Sequence, residues 1–157
     1  CTFLESDFRS AQFSSCAFRH CNLHLVKLAG CRFQEVVFEE SKIVGGEFYK
    51  CETRFLSMQF KKSVLMGCNF SDLNLKRTSF LGSKVQECHF NNAALSEANF
   101  RETDLQGSIF HHTDLARADF REAKNYAIDP KENTLTKAKF SAPEALSLLR
   151  FFSITVE

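Results

Sequence analysis

Hydrophobic positions in this chain recur every five residues. From Ala93 to Glu122 it divides into AALSE, ANFRE, TDLQG, SIFHH, TDLAR and ADFRE. The third place holds Leu95, Phe100, Leu105, Phe110, Leu115 and Phe120, and the first place holds only Ala, Thr or Ser. In a strand, residues five apart point to opposite faces. In an α-helix, five residues advance about 500°, so the hydrophobes would wander around the axis. A period of five therefore predicts a backbone that turns a corner at every five, with the third side chain pointing inward and the first tucked beside it.

The pattern covers most of the chain. Third places run from Phe3 through Phe8, Phe13, Phe18, Leu23, Leu28, Phe33, Phe38 and Ile43 to Phe48, and the next clear one is Phe55, seven residues on. The fives then continue to Phe120. Two extra residues are expected within Tyr49–Arg54, as a bulge on one corner. Between Phe70 and Phe120, Phe alternates with Leu or Val, so a ten-residue period is superposed on the five. Phe70, Phe80, Phe90, Leu95, Phe100, Leu105, Phe110, Leu115 and Phe120 are the expected core spine, and with four sides per turn Phe would line two opposite walls. The pattern predicts a repeat solenoid over 1–123 with the slip at 49–54, and a connecting loop with one last short side over 124–140. A cap over 141–157 follows. There Ser141 as N-cap, Pro143 in the first turn and Glu144 predict a short α-helix, and SITVE (153–157) alternates like an edge strand.

Composition fits that picture. Eighteen Phe with no Trp and two Tyr suit a chain that needs one flat inward ring again and again. Twenty Lys and Arg against nineteen Asp and Glu imply no strongly charged partner. No apolar run approaches the roughly 18 residues of a membrane helix, and no signal-peptide pattern is seen. The chain opens at Cys1 inside a repeat, so further residues are expected ahead of it. Cys1, Cys16, Cys21, Cys31, Cys68 and Cys88 fall at first places, as small inward fillers expected to remain thiols, whereas Cys51 lies in the slip. The five His fall at outward places, and no CxxC pair occurs, so neither a metal nor another cofactor is expected. No catalytic spacing or glycine-rich phosphate loop appears, and a solid-cored rod offers no pocket, so the chain reads as non-enzymatic.

ANFRE, TDLAR and ADFRE match the motif A(D/N)LXX, and the chain resembles the pentapeptide-repeat family over about four-fifths of its length. The resemblance implies a right-handed, quadrilateral parallel β-helix of about six coils. The tail, NYAIDP then KAKFS then LSLL, resembles a narrower subset, the Qnr-like quinolone-resistance and peptide-antibiotic immunity proteins. That subset implies a bacterial cytoplasmic protein that dimerises through its C-terminal end. It also implies binding to DNA gyrase or topoisomerase IV by imitation of duplex DNA. The outward charges depart from that pattern. One face is mildly basic, with Arg32, Arg54, Lys76, Arg77 and Arg117 against Glu35, Glu97 and Asp114, and no face is the continuous acidic stripe that imitation of phosphates requires. Direct nucleic-acid binding is not expected, because the basic face is interrupted by acids and poor in aromatics.

Two regions carry the functional expectations. Tyr49, Lys50, Glu52 and Arg54 in the slip are candidate partner-binding residues. Leu146, Leu148, Leu149, Phe151, Phe152 and Ile154 are the candidate dimer interface, with Leu146, Leu149 and Phe152 plugging the rod and Leu148 and Phe151 left over. The expected partner is a protein, with a type II topoisomerase first and an unrelated interaction scaffold as the alternative.

Overall fold

A computed structural model of the chain describes residues 1–157. Short strands lie on the sides that the fives predict, and all pair in parallel. Thr2–Leu4, Asn22–His24, Lys42–Val44, Val64–Met66 and Lys84–Gln86 form a five-stranded sheet. Ala17–Arg19, Val36–Glu39 and Met58–Lys61 form a three-stranded one. Partners stand 20 residues apart, as in Phe3 with Leu23 and Leu23 with Ile43. Across the slip Ile43 pairs with Leu65, 22 residues on, and Leu65 with Val85 restores the regular step. Bridges such as Asn99 with Asp119 and Asp114 with Thr134 carry the stacking onward. The result is an all-β solenoid of about seven turns.

A 20-residue step sorts the inward side chains into four columns. Phe18, Phe38, Phe60, Phe80, Phe100, Phe120 and Phe140 stack face to face, with ring centroids 4.8–5.2 Å apart. Phe48, Phe70, Phe90 and Phe110 form a second stack at 4.7–5.2 Å. Rings of one column meet those of the other edge to face, as Phe90 meets Phe100 at 6.1 Å and 88°, the arrangement that aromatic quadrupoles favour. The two remaining columns begin with Phe3 and with the stacked pair Phe13 and Phe33, and continue with the narrower Leu, Ile and Val. Phe70, Phe80, Phe90, Leu95, Phe100, Leu105, Leu115 and Phe120 are fully enclosed, and Phe110 is 5% exposed.

Outside the core, each five solves its backbone problem locally. Its fifth place turns the corner with positive φ, whatever the residue: Glu87, Glu97, Arg117 and Glu122 lie there at 53–62°, beside Gly82 and Gly107. The second place is frequently Asp or Asn because its side chain closes an Asx turn. Oδ1 of Asn69, Asn99, Asp114 and Asp119 accepts from the backbone N–H two residues on, at 2.9–3.1 Å. The small first place is tied between turns. Ser41 Oγ accepts from the Cys21 N–H at 3.1 Å and donates to a carbonyl, and Ser63 and Ser83 repeat the contact one and two turns up. These buried serine hydroxyls are thereby satisfied.

Several expectations are corrected. The solenoid does not end at Phe120 or Ala123. Ile128 bridges to Phe110, Thr134 to Asp114 and Phe140 pairs with Phe120, so residues 124–140 form most of another turn. Periodicity hid this because the step is 18 residues at Ile128 and 20 again at Thr134. Cys1 and Cys16 are exposed, since the first turn has none beneath it, whereas Cys51 is buried with Cys21, Cys31, Cys68 and Cys88, and all seven are thiols.

The tail also differs. Glu144–Phe152 winds as a 3₁₀ helix rather than an α-helix, and Ser153–Glu157 pairs with no strand. Ser141 does not cap it; its Oγ accepts from the Glu122 N–H at 3.0 Å. With three residues per turn, Ala145, Leu148 and Phe151 align and are partly buried, and Leu148 packs on the core. Leu146 and Phe152, expected to plug the rod, stand about half exposed with Ile154 and Val156.

Candidate functional site

The slip residues divide into two groups. Phe48–Lys50 forms a single 3₁₀ turn with Phe48 still in its column. Tyr49 is half exposed, and Lys50 Nζ pairs back to Glu47 at 2.8 Å and lies 5.6 Å from the Tyr49 ring. Tyr49 and Lys50 therefore belong to a 3₁₀ corner, and Lys50 is the one fifth place before the slip that lacks positive φ. The Glu52 N–H still reaches the Cys31 carbonyl at 2.8 Å in the ordinary register, but the Ser57 N–H reaches the Phe33 carbonyl. The two extra residues thus lie between Glu52 and Ser57, a little beyond the 49–54 expected.

That displacement changes the role of Phe55. Spacing predicts it as an inward centre, but it is 67% exposed, the most exposed of the large hydrophobic side chains. Its φ is +61°, the corner conformation, and Leu56 packs on the core instead. Glu52 Oε1 accepts from the Arg54 N–H at 3.1 Å, and the Leu56 N–H reaches the Thr53 carbonyl at 3.3 Å, so the bulge is internally tied. The Arg54 guanidinium lies 5.6 Å from the Phe55 ring, in the cation–π range.

On the next turn Asn74, Lys76 and Arg77 face the bulge, and with Thr53, Phe55 and Leu56 they line a hollow of about 370 Å³. Glu97, one turn further, receives Arg77 Nε at 3.2 Å, Lys76 Nζ at 3.7 Å and Arg117 Nη1 at 4.0 Å. The Arg77 hydrogen bond, aided by these cations, holds its carboxyl below the usual range. Arg54 pairs with no carboxylate. Other outward charges pair across turns, as Arg19 with Glu39 and Arg101 with Glu122, or within one five, as Arg9 with Asp7 and Arg121 with Asp119. At the far end Arg150 Nη2 donates to the Tyr126 carbonyl at 3.2 Å and fixes the terminal helix on the last turn.

Comparison with known proteins places this geometry. The profile described as "Pentapeptide repeat region" matches residues 53–140, more than half of the chain, and "Pentapeptide repeats (8 copies)" matches 6–43. The chain is a pentapeptide-repeat protein. The 44–52 interval between the two matches adjoins the register break. Proteins of this family are generally structural or interaction proteins rather than enzymes. A search of curated protein sequences returns no match. Solved structures of similar fold include HetL, involved in heterocyst differentiation regulation in the cyanobacterium Nostoc sp. strain PCC 7120. It is 14% identical, covers 87% of this chain and 86% of its own, and has a TM-score of 0.35. Rfr23 from the cyanobacterium Cyanothece 51142 is 13% identical over 83% of this chain and 88% of its own, TM-score 0.42. QnrB1, a plasmid-mediated fluoroquinolone resistance protein, is 15% identical in a trypsin-treated form over 99% of this chain and 97% of its own, TM-score 0.28. At such identities and TM-scores these likenesses carry no argument about this chain. No helix of this pentapeptide-repeat protein is long and apolar enough to cross a membrane.

Proposed function

We propose that this pentapeptide-repeat protein is a non-enzymatic interaction rod that presents its outer surface to a protein partner. The observation that carries this reading is the contrast between a filled interior and the deliberate-looking break at Thr53–Leu56, where a phenyl ring is turned out of an otherwise regular core. The rod belonging to this reading is right-handed and four-sided. The candidate contact residues are Tyr49, Lys50, Glu52 and Arg54, now joined by Phe55. Leu146, Leu149, Phe152 and Ile154 are the outer residues of a homodimer contact at the C-terminal end. Pull-down from the source organism with the wild-type rod, followed by reconstitution from pure components, tests the reading. An inability to reconstitute any partner with purified protein would sink it.

The narrower reading, motivated by the NYAIDP and KAKFS tail, is that the partner is DNA gyrase or topoisomerase IV. The protein would then protect that enzyme from quinolone or peptide antibiotics in a bacterial cytoplasm. With 20 basic against 19 acidic residues and no acidic face, docking would rest on shape and local contacts more than on imitation of phosphate charge. Supercoiling and cleavage assays on purified gyrase, with and without ciprofloxacin, decide it. No change in cleavage at micromolar protein removes the topoisomerase and leaves the general scaffold.

A further inference from the structure

We infer that the Phe55 bulge is a docking site for an acidic, apolar-anchored segment of a protein partner. The inference rests on the interaction-rod reading and names the chemistry of what docks.

Three observations converge. The first is the exposed ring. A phenyl that could have stacked on Phe33 is held outward on a tied bulge, with a backbone set by the Glu52–Arg54 and Thr53–Leu56 hydrogen bonds. An exposed aromatic with an arginine beside it is a composition enriched in protein interfaces. The second is the hollow next to it, whose apolar wall is Phe55 and Leu56 and whose polar wall is Asn74, Lys76 and Arg77. That wall suits a side chain inserted beside the ring.

The third is the charge count. Lys76, Arg77 and Arg117 share one carboxylate, Glu97, and Arg54 has none beyond the backbone-capping Glu52. Glu97 shows that these cations already accept a carboxylate, and the surplus leaves room for more from outside. The complement is a segment with Asp or Glu flanking an apolar residue. A nucleic acid fits less well. Glu52 and Glu97 interrupt the cations, and a single ring offers no platform for successive bases.

The test uses the full chain and a short acetylated peptide of Asp and Glu with a central Leu–Phe pair, labelled for fluorescence anisotropy. Its controls are a Lys-for-acid counterpart and a single-stranded oligonucleotide. The acidic peptide is expected to bind with an affinity that falls as salt is raised. Phe55→Ala and Lys76→Glu are each expected to weaken it about tenfold or more, the loss of one anchoring contact, while thermal melts stay close to wild type because both side chains are outside the core. No binding of the acidic peptide, equal binding by Phe55→Ala, or equal binding of the basic counterpart would overturn the inference. So would binding of the oligonucleotide in its place. Running wild type and Phe55→Ala in the gyrase assay separates the two levels. An effect on gyrase unchanged in Phe55→Ala removes the docking site but keeps the topoisomerase. Phe55-dependent peptide binding without any effect on gyrase does the reverse.

Discussion

At the scale of single residues, the chain repeats one small physical unit, and its parts differ in how openly the sequence shows them. The third-place hydrophobes were legible because nothing else produces a five-residue period. The second-place Asp and Asn were equally visible, as in ANFRE and TDLAR, but their role in closing an Asx turn required seeing Asp119 accept from the Arg121 N–H at 3.1 Å. The positive φ of the fifth place was not legible, because Glu, Arg, His and Gly all occupy it; the stacking, not the residue, imposes it. Phe100 lies 4.8 Å from both Phe80 and Phe120. Phe100→Ala is therefore expected to lose roughly 3–5 kcal/mol, read as a large fall in Tm, and Arg101→Ala under about 0.5 kcal/mol. A second expectation concerns the thiols. Burial pushes Cys31 up to about 11 and Cys51 up to about 12, from an ordinary 9.0. The folded state then holds protons that the unfolded chain has released. The stability these thiols contribute is complete below pH 9 and is lost as pH rises through 11 and 12. A melting series across that range should fall, and Cys31→Ala should flatten its lower part. A thiol reagent at neutral pH should label Cys1 and Cys16 long before the five buried ones.

At the scale of elements, the deviations came where the five-residue pattern meets an insertion or an end. The seven-residue gap to Phe55 announced a slip, but spacing alone favoured the arrangement that kept a Phe inside. The backbone chose otherwise, because Glu52 stays in register with Cys31 and the surplus emerges after it. Leu56, the next apolar residue, is positioned to cover the core. Removing Glu52 and Thr53 would leave Cys51 followed by Arg54, Phe55, Leu56 and Ser57, a five closely similar to Cys31–Glu35. This deletion is expected to turn Phe55 inward above Phe33 and Leu56 outward, and to stabilise by less than the roughly 1.5–3 kcal/mol of a buried ring, since the packing of Leu56 is given up. A higher Tm together with loss of the acidic-peptide signal would be the paired outcome. The tail was misread for a different reason. Ser141, Pro143 and Glu144 carry helix-start chemistry, but the Glu122 N–H takes the Ser141 hydroxyl, and tertiary demand overrode the local signal.

At the scale of the whole molecule, the rod is a stack in which each turn touches only its neighbours, and this locality explains both what sequence reveals and what it conceals. A periodic core repeats its message at every turn, whereas surface pairing depends on which residues fall 20 apart. Sorting charges by face shows one mildly basic face and no acidic stripe, but not that Arg19 meets Glu39, or that three cations converge on Glu97. These pairs are largely exposed, so each contributes little. Raising salt is expected to shift Tm only slightly, while the acidic-peptide affinity falls steeply; a melt that collapsed with salt would show that the ion pairs hold the turns together. The 22-residue step at Ile43–Leu65, followed at once by a 20-residue step at Leu65–Val85, has a consequence for how such a molecule changes over generations. Length and azimuth are independent variables. A duplication of four fives lengthens the rod by about 4.8 Å, the strand spacing, and leaves every column in phase, whereas a single added five rotates all that follows by one side. A two-residue insertion does neither, because it is extruded locally and the count resumes. New recognition loops can therefore be trialled at any corner without re-indexing the rest of the protein.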